Sequence, residues 1–177
     1  VNLISRSSIV NFISQHVSPQ EMNETLDEAG LPYRKNVMSV PDTATAFETF
    51  DLIDAKGLYG VAVVDEDGKL VACTSARDIK HAAMDRGGTD MDTDIFTYLT
   101  FVRQKATTDG RKARYPACHV YEDATVGHVV NLLAKTGYHR LFVVDKDMVP
   151  VGVVGVSDIL QFTMDKSEKD FANTLAC

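Results

Sequence analysis

Hydrophobic positions along this chain switch between two periods, and they do so in the same order twice. Val61 to Asp65 and Leu70 to Thr74 are short, β-branched apolar runs around Glu66-Asp67-Gly68, a pattern that predicts two strands and a tight connection. Ahead of them, Thr45-Ala46-Phe47-Glu48 carries capping-box spacing, and Phe47, Phe50, Leu52 and Ile53 give an apolar helical face that Gly57 ends. A strand over 36–40 opens the set, and a helix running from Arg77 to Met84 closes it. The order returns downstream as strand 117–120, a helix from Thr125 to Thr136 stopped by Gly137, strands 141–145 and 150–154, and a helix from about Ser157.

The two sets are copies. Asp78 and Asp158 stand 80 positions apart, and at that shift Val40, Ala44, Thr45, Leu52, Gly57, Val63, Val64, Asp65, Asp67, Val71, Asp78 and Ile79 meet identical residues without a gap. Chance would give roughly two or three such identities over this stretch. Each unit is strand-helix-strand-strand-helix, too small to bury both faces of its sheet alone. The expected fold is therefore α+β, a tandem pair of repeats packed with pseudo-twofold symmetry and with equivalent clefts where they meet. Val1 to Phe12 aligns with Val151 to Phe162 and shares Val, Ser, Ile and Phe, so residues 1–13 read as the last strand and helix of a preceding, truncated repeat. Ser18-Pro19-Gln20-Glu21 and Gly30 predict a linker helix over 19–29. Ile95 to Arg103 reads as a connector helix, 105–114 as a polar loop and Lys166 to Cys177 as a polar tail. The organisation is then 1–35 tail and linker, 36–85 first complete repeat, 86–114 connector, 115–165 second repeat and 166–177 C-terminal tail.

Charge and composition narrow the function. With 177 residues, 45% of them hydrophobic, the chain can bury a core, and a net charge of −7 gives no basic face for nucleic acid or a membrane surface. Cys73, Cys118 and Cys177 show no CxxC spacing, so neither a disulfide framework nor a zinc site is implied. No apolar run has the length of a membrane span, and an intracellular protein of the cytoplasm, with the nucleus open, is the default. The five histidines are dispersed, and no Walker loop, GxSxG elbow or GxGxxG fingerprint is present. No catalytic set and no metal site is predicted.

What remains are groups at equivalent places in the repeats. Ser157-Asp158 reads either as a helix cap or as a carboxylate that accepts bonds from two vicinal ribose hydroxyls. His139-Arg140 reads either as a solvent-facing strand start or as a phosphate clamp. The first repeat has Tyr59-Gly60 where the second has His139-Arg140, so the clefts are unequal.

Together these features resemble the cystathionine-β-synthase (CBS) domain, a repeat that pairs to bind adenine nucleotides. Within that family YHRLFVVDKDMVPVGVVGVSDILQF and LYGVAVVDEDGKLVACTSARDI are most similar to the C-terminal half of the AMP-activated protein kinase gamma subunits. The resemblance implies that Asp158 and Ser157 contact ribose and that His139 and Arg140 face phosphates. It makes Asp78 the ribose partner of the other cleft, with Ser75 nearby, sets Met38, Leu58 and Val153 beside the base, and aligns Arg103 loosely with a phosphate contact. The chain departs from the family at Gly60, which brings no side chain where a basic group would help. Arg77 replaces an uncharged residue, and Gly155 lacks a hydroxyl. The resemblance thus implies a regulatory module for AMP, ADP or ATP, with no cofactor beyond that ligand and with kinase and scaffold subunits or a second copy as partner. A ligand-free interaction or dimerisation module, and a binder of another adenosyl compound, stay open as alternatives.

Overall fold

Each repeat builds one three-stranded sheet. The computed structural model describes residues 5–16, 21–33, 36–80, 90–108 and 117–175. In chain order they form α1 (Arg6–His16), β1 (Ser39–Pro41), α2 (Ala46–Ala55), β2 (Gly60–Val64), β3 (Leu70–Ser75), α3 (Ile95–Thr108), β4 (His119–Tyr121), α4 (Val126–Thr136), β5 (Arg140–Val144), β6 (Pro150–Gly155) and α5 (Val156–Leu175). The sheets are ordered β1-β2-β3 and β4-β5-β6. This is the α+β architecture that the repeat pattern predicts.

In the first sheet β1 runs parallel to β2, with Val40 opposite Val63, and β2 runs antiparallel to β3, with Gly60 opposite Ser75. Val61, Ala62 and Val63 are all buried, because a central strand is covered on both faces and needs a continuous apolar run. β3 lies at an edge and alternates, with Leu70, Ala72 and Thr74 buried and the residues between them half-buried. In the second sheet Leu141 to Val144 repeat the continuous burial.

The shared residues of the two repeats are mostly punctuation. Thr45 and Glu48 close a full capping box on α2, with Thr45 N donating to Glu48 Oε2 at 2.9 Å and Glu48 N donating to Thr45 Oγ1 at 3.1 Å. Thr125 accepts from His128 N at 3.2 Å at the start of α4. Asp65 Oδ1 accepts the N–H groups of Asp67 and Lys69 at 3.0 and 2.8 Å, and Asp145 Oδ1 those of Asp147 and Val149, both at 2.9 Å. These aspartates fold the two hairpin loops identically. The third loop residue has positive φ in both, 78° at Gly68 and 69° at Met148. The chain also crosses between loops, since Leu70 N donates to Met148 O at 2.8 Å.

By density of contact the chain separates into two compact units, one of Val1–Lys35, His119–Val143 and Val151–Cys177, the other of Asn36–Cys118 and Val144–Pro150. The first packs Val10 and Ile13 of α1 with Leu26, Val130, Leu133 and Ile159 in its core. The second is centred on Phe50, Ile53, Val61, Val63, Tyr98 and Leu99, and the Phe50 ring meets Tyr98 edge-on at 5.5 Å.

Four expectations change. Residues 21–30 are not a helix but a 3₁₀ turn (Glu21–Asn23) followed by a bridge between Thr25 and Thr125. Glu24 O accepts from Val126 N at 2.9 Å and Ala124 O from Leu26 N at 3.2 Å, so the segment's backbone is shared with the start of α4 and keeps only a turn of its own, with Ala29 N donating to Thr25 O at 2.9 Å. The predicted cap over 18–20 lies outside the described residues. The buried face of α2 is Ala46, Thr49, Phe50 and Ile53, and Phe47 is 59% exposed. α3 continues to Thr108, past the predicted start of the polar loop at 105, and α5 continues through the predicted tail to Leu175. The closing helix of the first repeat begins only at Lys80, after a turn over 76–79, and its predicted remainder lies outside the described residues, as do residues 1–4 of the truncated repeat. Among the described residues no helix is long and apolar enough to cross a membrane.

Candidate functional site

The singled-out residues gather at one end of each sheet, where the last strand turns toward a helix. In the second repeat β6 passes directly into α5, which begins at Val156. Asp158 is therefore the third helical residue, and its Oδ2 accepts from Gly155 N at 2.7 Å. That is the reaching-back half of a capping box, with the carboxylate beside the positive end of the helix dipole. Ser157, the sequence's other capping candidate, is exposed in the same turn.

His139 and Arg140 come to this turn from the neighbouring strand. Val156 N donates to His139 O at 3.0 Å. A Cβ built on Gly155 would lie 3.2 Å from His139 O, 3.4 Å from Arg140 Cγ and 3.4 Å from Asp158 Oδ2. One glycine thus sits within touching distance of the His139 backbone, the Arg140 stem and the Asp158 carboxylate. Gly155 brings no hydroxyl to this turn, and a side chain built here would stand against those of Arg140 and Asp158. Val153 is half-buried on β6, two residues before that glycine.

The first repeat makes the corresponding turn differently. Asp78 Oδ2 accepts from Ser75 N at 2.9 Å, from Ser75 Oγ at 3.1 Å and from Thr74 Oγ1 at 3.3 Å. Ser75 is thus brought to Asp78 as expected, and its hydroxyl serves that carboxylate. Gly60, the counterpart of Arg140, has no room for any side chain, since a Cβ would sit 2.6 Å from Thr74 O. Met38 precedes β1 and is 41% exposed, with its carbonyl accepting from Ala62 N at 3.1 Å. Leu58 instead packs half-buried against the core of its unit.

Arg103 lies on α3, and its Nη2 donates to Cys73 O at 3.1 Å. This bond orients the guanidinium against the end of β3. Two contributors had no signal in the motifs. Thr74 donates to Asp78, and Tyr98 Oη donates to Asp78 O at 3.1 Å from twenty residues away. Only the helical phase of Tyr98 on the connector could have pointed to it.

The described residues contain no cluster of three or more metal-ligating side chains. A cavity of about 330 Å³ lined by Ser14, Asn23, Thr125, His128 and neighbours lies at the start of α4 and shares no residue with either carboxylate turn.

Comparison with known proteins bears on the family and the fold. The bovine 5′-AMP-activated protein kinase subunit gamma-3 is 27% identical over 143 residues, 81% of this chain and 27% of that protein. The gamma subunit of Kluyveromyces lactis is 24% identical over 166 residues, 93% of this chain and 48% of that protein. The chain thus spans a quarter to a half of the length of these relatives. Among solved structures, protein MJ1225 of Methanocaldococcus jannaschii, put forward as an archaeal homologue of g-AMPK, matches with a TM-score of 0.64 at 14% identity, covering 92% of this chain and 55% of its own. The CBS domain pair of protein MJ0100, solved with 5′-methylthioadenosine and S-adenosyl-L-methionine, matches at 0.56 and 21% identity, covering 78% of this chain and 95% of its own. The CBS domain model matches residues 31–85 and 114–165, more than half of the sequence, and the chain belongs to the CBS-domain family.

Proposed function

We propose that this CBS pair is a regulatory module that binds an adenine nucleotide, AMP, ADP or ATP, and has no catalytic role of its own. The observation that carries the reading is that the Asp158 carboxylate, suited to a ribose diol, is bound to Gly155 N while the stem of Arg140 and the backbone of His139, a pair suited to phosphate, come within contact distance of the same glycine. Asp158 spends one oxygen on the Gly155 amide, and a carboxylate has about four acceptor sites, so capping and ligand binding are compatible. Ser157 and Val153 complete this site. Asp78, Ser75, Met38, Leu58 and Arg103 form a separate site in the first repeat, with the boundaries 36–85 and 115–165 for the repeats. The likeness to kinase gamma subunits supports kinase and scaffold subunits as partners, with a homodimer as the alternative assembly, in the cytoplasm.

A second reading has its own support. Gly60 leaves the first repeat without a cation where the second has Arg140, which favours an adenosyl compound that carries no phosphate, as in the MJ0100 complex. Calorimetric titration with AMP, ADP, ATP, S-adenosylmethionine and 5′-methylthioadenosine separates the two. AMP binding at the second repeat, measured in the Asp78→Ala background, that is lost in Asp158→Ala and weakens at least tenfold in Arg140→Ala supports the nucleotide reading. Affinity confined to the two phosphate-free ligands moves the assignment to the adenosyl reading. No binding to any of the five, in protein freed of co-purified ligand, leaves an interaction module.

A further inference from the structure

The two carboxylate turns are held by different means. Asp158 lies inside the first turn of α5, so the helix that it begins fixes its backbone. Asp78 precedes the helical residues, in a turn over 76–79 closed by Asp78 N donating to Ser75 O at 2.8 Å. Its carbonyl accepts from Tyr98 Oη on α3, at 3.1 Å. Tyr98 is 1% exposed, and a buried phenol needs a hydrogen-bond partner, so the position of the ring and the position of the turn are tied. The ring itself is fixed edge-on to Phe50. Five residues further along α3, Arg103 donates to Cys73 O. The two bonds from α3 thus fall on either side of Thr74-Ser75, the pair whose hydroxyls cradle the Asp78 carboxylate.

From this bracket we infer that Tyr98 is a positioning residue for Asp78, and that α3 holds the ligand-binding posture of the first repeat. The inference rests on the reading of Asp78 as a ribose partner. Loss of the Tyr98 hydroxyl removes the bond that ties the Asp78 carbonyl to α3 and loosens the turn, so a ligand at Asp78 must restore its order. A ligand there in turn restrains α3, which makes the connector between the repeats the element through which that site is felt elsewhere in the chain.

The test uses the full chain and AMP as probe. Tyr98→Phe is combined separately with Asp158→Ala, which leaves the Asp78 turn to report, and with Asp78→Ala, which leaves the Asp158 turn. The expected result is AMP binding weakened about fivefold by Tyr98→Phe in the Asp158→Ala protein and unchanged within twofold in the Asp78→Ala protein. Hydrogen exchange of the 75–79 amides should rise in Tyr98→Phe even without ligand. Equal losses in both backgrounds, or unchanged exchange over 75–79, overturn the inference. Retained AMP binding in Asp78→Ala with none in Asp158→Ala also overturns it, while leaving the nucleotide reading of the second repeat in place.

Discussion

Replacing Gly60 with alanine adds one methyl group to the middle strand of the first sheet, opposite Ser75. That methyl would stand 2.6 Å from the Thr74 carbonyl oxygen, where carbon–oxygen contacts ordinarily begin at about 3.3 Å. The oxygen belongs to the backbone of a paired strand, so relief requires β2 and β3 to part by about 0.7 Å, the difference between those two distances. Overpacking of this kind costs about 1–3 kcal/mol. Alanine also stiffens the unfolded chain, and Gly60 has no positive φ to forbid it, so about 0.5 kcal/mol returns. The net expectation is a loss of about 1–2 kcal/mol, or about 2–8 °C in melting temperature for a chain of this size. Gly155→Ala is the control at the equivalent edge of the second sheet. Its methyl would meet atoms at 3.2–3.4 Å, two of them on the Arg140 and Asp158 side chains, which can yield. Stability should stay within about 0.5 kcal/mol of the parent while AMP affinity falls about fivefold, because the atoms that yield are the binding groups. Urea unfolding and AMP titration on both variants read the two effects separately. Wild-type unfolding of Gly60→Ala, or a larger stability loss in Gly155→Ala, would refute the steric argument.

Met148→Gly should raise stability by about 0.5–1 kcal/mol, because a non-glycine residue at φ 69° costs about 1–2 kcal/mol and glycine gives back only part of that. A lower melting temperature would show that packing of the methionine side chain outweighs its backbone. Glu48 is held below the usual carboxylate range by the Thr45 amide and then its hydroxyl, and Glu28 in the same way by Thr25. A depressed folded pKa stabilises above the unfolded value and is lost as pH falls through the folded one, so the double variant Glu28→Gln/Glu48→Gln should melt with a shallower acid slope between about pH 5 and 3. An unchanged slope in thermal melts would show that these pairs do not couple to folding.

The repeat was legible because its shared residues do local work that leaves local patterns. Thr45 and Thr125 cap helices, Asp65 and Asp145 fold loops, and Asp78 and Asp158 reach back three residues to a strand-end amide. Each is a short-range hydrogen bond between residues close in sequence, so spacing alone carries it. The misreadings have long-range causes. The segment around Thr25 has a helical sequence pattern, yet its backbone is taken by the start of α4, a hundred residues away. Phe47 fits an apolar helical face but stands one step out of phase with Ala46 and Phe50. In the candidate site the roles of Gly60 and Gly155 could not be read at all, because a glycine's function here is the space that a neighbouring strand occupies. Tyr98 was missed for the same reason, since its partner is a backbone carbonyl and backbone carbonyls carry no sequence signature.

The hydrogen bond from Leu70 N to Met148 O has a consequence for how this chain is made. The hairpin tip Val144–Pro150 completes the compact unit that otherwise consists of Asn36–Cys118. A nascent chain emerging from the ribosome through Cys118 would carry both strands of the first hairpin and their helices but not that tip. The unit built on Asn36–Cys118 cannot close until Pro150 has been synthesised, so the repeats mature together rather than in turn. A joint of such long sequence separation also delays folding relative to the local hairpins that form first. Cutting the gene between the repeats would therefore yield one half short of a piece of its own body, and the smallest heritable unit of this fold is the pair.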